Sequence, residues 1–128
     1  MLLVVLVYLK GNVGKMQNTE MLKKNYEFRK VLTKGKYYKS KYIEVFAIKN
    51  NLKINKLGIA IGVKLGKAFQ RNYVKRLIRE NYRKIENQLC VGYNIIFLWN
   101  KKINISEADY YKIENDLKNI FNKMEIFK

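Results

Sequence analysis

The chain has 128 residues, a formal net charge of +17 and a single cysteine, Cys90, so it can close no internal disulfide and build no cysteine zinc cage. Its length suits one domain with one modest core. Its charge calls for a polyanion, nucleic acid or an anionic membrane, because the excess otherwise destabilises the compact state by self-repulsion.

The chain contains no histidine, the commonest general base and metal ligand, and its ten acids are scattered among 27 bases. No carboxylate cluster in the sequence resembles a two-metal nuclease site. Ten Tyr, six Phe and one Trp accompany the charge. Basic plus aromatic content suits single-stranded RNA, whose bases stack on rings while its phosphates meet Lys and Arg; aromatics fill cores equally well.

Met1–Leu9 is apolar but far shorter than the ~20 residues a membrane-spanning helix needs. It lacks the basic start and small-residue cleavage site of a secretory signal. Residues 1–15 read as an appendage outside the domain, with Met16 and Met21 as alternative starts, and residues 16–128 as a single basic domain, an RNA-binding one if its polyanion is nucleic acid. Asn25 is positioned to cap a short helix that Gly35 would end in the left-handed conformation, with Phe28, Val31 and Leu32 on one face. A short strand is expected near Tyr37–Ser40 and a clear one at Tyr42–Ile48, followed by an Asn50-Asn51 turn. A further strand is expected over Leu57–Lys64, with Ile59, Ile61 and Val63 on one face and Ala60, Gly62 and Lys64 on the other. The small residues leave room for a ligand or for a helix packed close.

Gly66 turns the chain into a long helix expected over Lys67–Gln88. At about 100° per residue, Asn72, Lys75, Arg76, Arg79 and Arg83 fall on one side, with Val74, Leu77, Ile78 and Ile85 opposite. Glu80 is the only acid between Lys64 and Lys84, whereas a merely solvated helix mixes signs through i,i+4 pairs. Val91-Gly92 breaks the chain before Tyr93–Trp99, an apolar run suited to a buried central strand. Strand, helix and strand form a βαβ unit with parallel pairing. Ser106 with Asp109 loosely matches a capping box, and a final helix carries Tyr110, Ile113, Leu117, Ile120 and Met124 on its core stripe. The elements read as an α+β chain in the order α-β-β(-β)-α-β-α.

The pattern Arg71-Asn72-x-x-Lys75-Arg76-x-x-Arg79, continued by Arg83, resembles the signature of the bacterial ribonuclease P protein component. Leu22-Lys23-Lys24-Asn25 with Phe28, Lys34-Gly35, Gly58 through Lys64, Gly66 and Ala68, and Gly92-Tyr93 match that family in the same order. The resemblance covers roughly Leu22 to the C-terminus. It implies that the elements form a two-layer, ribosomal-protein-like α/β sandwich with a left-handed crossover around the signature helix, against the usual right-handed rule. It also implies a cytoplasmic ribonucleoprotein that removes the 5′ leader of precursor tRNA. The catalyst would be the RNA subunit with Mg²⁺ held mainly by RNA, and the protein alone would cleave nothing. No membrane and no obligate protein partner are implied.

By the same resemblance, Arg71, Asn72, Lys75, Arg76, Arg79 and Arg83 would bind the catalytic RNA. Phe28 and Lys64 would meet the single-stranded leader in a cleft between the sheet and the first helix. Val63 replaces the first Lys of a family pair, Ala60 and Gly62 replace serines, Lys67 replaces an Asn, and Leu32 replaces an aromatic. Trp99-Asn100 stands where the family usually has Ala-Arg, which makes Trp99 either a substitute leader platform or a core residue. The alternative function is a ribosomal or general RNA-binding protein on a similar scaffold; a third is a membrane-surface protein using the apolar start.

Overall fold

The computed structural model describes residues 16–128, so the expected appendage at residues 1–15 lies outside the described residues. In chain order the elements are β1 (Thr19–Met21), α1 (Asn25–Lys34), β2 (Lys36–Lys39), β3 (Ile43–Lys49), β4 (Asn55–Ala60), α2 (Ala68–Ile85), β5 (Tyr93–Trp99) and α3 (Tyr110–Met124). Single 3-10 turns occupy Val63–Leu65, Glu86–Gln88 and Ile105–Glu107. The strands make one mixed sheet in the order β1-β4-β5-β3-β2. The apolar run Tyr93–Trp99 lies between parallel β4 and antiparallel β3, as its lack of polar alternation requires. The α+β class holds, and β4-α2-β5 is a βαβ unit with parallel pairing. Strand β1, three residues parallel to β4, has too short a pattern to be visible in the sequence.

Strand alternation separates two apolar sets. Ile43, Val45, Ala47, Leu57, Ile95, Phe97 and Trp99 point to one side, where Val74, Leu77, Ile78 and Ile85 of α2 and Ile113, Leu117, Ile120 and Phe121 of α3 cover them. Tyr82, Phe97 and Phe121 meet edge to face there, with centroids 6.1 to 6.4 Å apart. Phe46, Ile48, Ala60, Ile96 and Leu98 point to the other side, where α1 lays Val31 and Phe28 across part of the sheet. The main layers are thus the sheet and the α2/α3 pair, with α1 on the sheet's second face.

Several local expectations change. β4 stops at Ala60, and the chain turns at Gly62 into the Val63–Leu65 3-10 turn; Val63 leaves the core face and is 74% exposed. Gly35 is extended rather than left-handed. It is required instead by close approach, since a Cβ there would lie 2.4 Å from the Val31 carbonyl oxygen. Lys24, not Asn25, is the N-cap residue of α1, and no side chain caps that end. Asp109 alone caps α3, accepting from the Tyr111 and Lys112 amides, while Ser106 lies in the preceding 3-10 turn. The core stripe of α3 is as expected, with Phe121 added.

Two buried carboxylates hold distant segments together. Glu86, at the end of α2, accepts from the Gln17 and Asn18 amides at 2.8 Å each and so anchors the start of β1. Asp116 of α3 accepts from the Tyr42 and Ile43 amides and from the Ser40 hydroxyl, tying α3 to the entry of β3. Burial raises the Tyr82 phenol above its ordinary pKa, so it is neutral while it bonds Thr19 and Asn55. Replacing Asp116 with Ala leaves two buried amides without partners. It should cost about 2–4 kcal/mol in urea unfolding at neutral pH. A loss below about 0.5 kcal/mol, the range of ordinary surface changes, would show that the tie is dispensable.

Candidate nucleic-acid interface

The basic helix is placed by its apolar stripe. With Val74, Leu77, Ile78, Tyr82 and Ile85 buried, helical geometry sends Asn72, Lys75, Arg76, Arg79 and Arg83 outward together. Among the described residues, Lys75, Arg79 and Arg83 enter no ion pair. Arg76 has only an exposed i,i+4 contact with Glu80 at 3.7 Å, a type that contributes less than about 1 kcal/mol. The face is therefore largely uncompensated. Lys84 is different: it bonds Glu114 of α3 at 2.6 Å, which lowers the pKa of that carboxylate and raises that of the lysine.

Arg71 sits at the edge of this face and donates its Nε–H to the Gly66 carbonyl at 3.1 Å, bracing the turn into the helix. The Lys67 amide donates to the Gln70 side chain at 2.9 Å and closes the same first turn. Gly66 is required by crowding, since a Cβ there would lie 2.8 Å from Ile105 Cγ2. Asn72, Arg76, Arg79 and Arg83 line an open groove of about 930 Å³ between α2 and the Ile105–Ala108 turn; Arg71 and Lys75 stand on the other flank of the helix.

A second groove lies across the sheet from α2. Only part of that face is covered by α1, so the row nearest the end of β4 stays open. Ala60 and Leu98 form its floor, with Gly62 through Leu65 along one rim and Lys101 at the other. Lys64 is exposed on the rim, in the 3-10 turn rather than on a strand. Glu44 is the one acid that lines this groove. Phe28 is half-buried where α1 meets the sheet: a Cβ on Gly58 would lie 2.5 Å from its Cε1, so the glycine admits the ring. Glu27 next to it bonds Lys56 at 3.1 Å, which lowers the Glu27 pKa and pins α1 to β4. Phe28 is thus packed over Gly58 and only partly buried.

Trp99 is a correction. The residue borders this groove beside Leu98, but strand alternation turns its side chain to the opposite side of the sheet and leaves the groove floor to Leu98. Trp99 is 3% exposed, with its ring tilted against Tyr42 at 5.8 Å on the α2/α3 side and its indole N–H donating to the Ile103 carbonyl at 2.8 Å. Its polar atom is already satisfied, so it is a core residue. Sequence reasoning missed Phe46 and Tyr37, whose rings lie 5.0 Å apart on the groove side of the sheet. Alternation within Tyr42–Ile48 could have found Phe46, which is out of phase with Ile43, Val45 and Ala47. Tyr37 is 46% exposed, and desolvation together with the Glu44 carboxylate raises its pKa.

Among the described residues no group of three or more His, Cys, Asp or Glu side chains converges to hold a metal ion. Nor is any described helix long and apolar enough to cross a membrane.

The family model for ribonuclease P matches residues 16–125. The ribonuclease P protein component of Natranaerobius thermophilus is 37% identical over 113 residues, 88% of this chain and 96% of that protein. That of Clostridium botulinum is 38% identical over 107 residues, 83% and 95% of the two chains. Among solved structures, the ribonuclease P protein of Staphylococcus aureus superposes with a TM-score of 0.74 at 27% identity, covering 84% of this chain and 97% of that one. The Thermotoga maritima protein gives 0.73 at 28%, covering 80% and 96%. With its signature intact on an exposed helix and its fold shared across the full domain, this chain belongs to the bacterial ribonuclease P protein family.

Proposed function

We propose that the α2 face meets the catalytic RNA of ribonuclease P and that the groove beside α1 meets the 5′ leader of precursor tRNA. As a family member the chain is the protein subunit of that ribonucleoprotein, an endoribonuclease acting on precursor tRNA. The observation that carries the proposal is the row Asn72, Lys75, Arg76, Arg79 and Arg83, offset among the described residues only by the exposed Arg76–Glu80 pair, on a helix whose opposite stripe is buried. Arginines fork onto phosphate oxygens, and lysine meets them as a point charge. Arg71 divides its role, bracing the helix start through Gly66 while its charge adds to the edge of the face.

The second groove has the chemistry of a single strand. Its apolar floor suits bases, and Lys64 and Lys101 on the rims suit the sugar-phosphate backbone, while the half-buried Phe28 lies outside its lining, on the same face of the sheet. Glu44 disfavours a phosphate at the centre of the floor, which favours a path along the rims. Among the described residues no metal-holding cluster converges, and Mg²⁺ is proposed to be held mainly by the RNA subunit, with no chemical step routed through the protein. The protein subunit would work in the cytoplasm, where precursor tRNA is made, and residues 1–15 would lie outside its RNA-binding domain.

Replacing Arg76 and Arg79 together with Ala should weaken holoenzyme assembly and make the slope of log affinity against log salt shallower by roughly one to two, because fewer counterions are released. An unchanged slope in filter-binding titrations would remove the phosphate assignment. Replacing Phe28 with Ala should weaken precursor tRNA binding by the assembled enzyme by roughly 1–3 kcal/mol while sparing mature tRNA, if a leader base stacks there. Equal losses on both substrates would reduce Phe28 to a packing residue over Gly58.

A further inference from the structure

Beside the arginine row, α2 carries two aromatic residues that the core does not use. Phe69 is 69% exposed and Tyr73 is 42% exposed. They lie four residues apart on one side of the helix, where Cβ atoms are about 5–6 Å apart. Both border the groove that Asn72, Arg76, Arg79 and Arg83 line, and Ile105 and Ala108 continue the apolar surface on its opposite wall. Scattered exposed apolar side chains are ordinary, but two adjacent rings inside a strongly basic groove are not explained by packing. The Arg76 guanidinium lies 5.3 Å from the Tyr73 ring centroid, holding that ring from one side while much of it stays open to solvent.

We propose that Phe69 and Tyr73 form a stacking ledge for an unpaired base of the partner RNA, set beside the phosphate contacts of Arg76, Arg79 and Arg83. The inference rests on the assignment of the α2 face to catalytic RNA and deepens it. Charge complementarity selects the occupant: three arginines, the amides of Gln70 and Asn72, and one acid, Glu80, line the groove, so a phosphodiester strand is drawn in and carries its bases with it. The base must be unpaired, because a base inside a duplex already has both faces stacked on its neighbours. Asn72, exposed between the two rings in sequence, offers both a donor and an acceptor to the base edge. The ledge gives α2 a contact that salt does not screen, next to contacts that it does.

The test is the affinity of the full chain for bacterial ribonuclease P RNA, titrated at several salt concentrations. Substituting Phe69→Ala and Tyr73→Ala together should raise Kd roughly 5- to 100-fold for one stacked base, with the salt slope unchanged. The ring-preserving pair Phe69→Tyr and Tyr73→Phe should keep the wild-type Kd. Both side chains are exposed, and thermal unfolding of each variant at the wild-type temperature would confirm that folding is untouched. An unaltered Kd in the alanine pair would overturn the ledge. So would a raised Kd with a shallower slope, which would mean that the rings act only by placing Arg76. So too would full affinity in a Phe69→Leu and Tyr73→Leu pair, since bulk rather than stacking would then suffice. A wild-type chain that does not bind this RNA would instead overturn the underlying assignment of α2, and the ledge with it.

Discussion

Burial of one side of α2 determines where its arginines point. Val74, Leu77, Ile78, Tyr82 and Ile85 are packed between the sheet and α3, and a fully buried side chain of this kind contributes roughly 1.5–3 kcal/mol. Among the described residues the only ion pair on the outer side, Arg76 with Glu80, is exposed and contributes less than about 1 kcal/mol. Packing therefore fixes the rotation of the helix, and charge has little say in it. A rotation of one residue, about 100°, would force Lys75 or Arg79 against Phe97 and Phe121. The edge-to-face contacts of Tyr82 with those two rings hold the helix against that rotation.

The same arrangement separates two surfaces and joins them through one short segment. β4 ends at Ala60 on the open groove, and six residues past Gly62 the chain begins α2 on the other side of the sheet. Lys64 lies between them, and Arg71 secures the crossing by bonding the Gly66 carbonyl. Gly66 and Gly58 serve by being small: one admits Ile105, the other Phe28. A protein with +17 net charge would be expected to repel itself, and both surfaces place that charge where a polyanion can neutralise it. The buried carboxylates Glu86 and Asp116 are spent instead on backbone amides, which leaves them little role in offsetting the basic faces.

Much of this was legible in the sequence because it depends on periodicity. The two faces of α2, the buried run of β5 and the stripe of α3 each follow from residue spacing alone, and the family signature lies on the most regular element. The failures cluster where long-range geometry decides. Trp99 is apolar and aromatic whichever way the strand faces; only the register of β5 against β3 and β4 turns it into the core and turns Leu98 into the groove. β4 appeared two turns of alternation too long because Gly62, Val63 and Lys64 continue the pattern while the backbone leaves the sheet. Gly35 suggested a left-handed cap, and the actual constraint is the nearness of the Val31 and Ala47 carbonyls, which local sequence does not reveal. β1 depends on the Glu86 carboxylate almost 70 residues away, a contact no local pattern encodes.

As proposed above, this chain supplies binding surfaces to an RNA subunit in which the cleavage chemistry lies. Reconstitution with bacterial ribonuclease P RNA at low Mg²⁺, followed by precursor tRNA cleavage, tests this proposal most directly. The account predicts that the protein raises cleavage of precursor tRNA at its 5′ leader above that of the RNA alone, and that the protein without RNA leaves the substrate intact. Cleavage no faster with the protein than without it, or cleavage by the protein alone, would contradict the account.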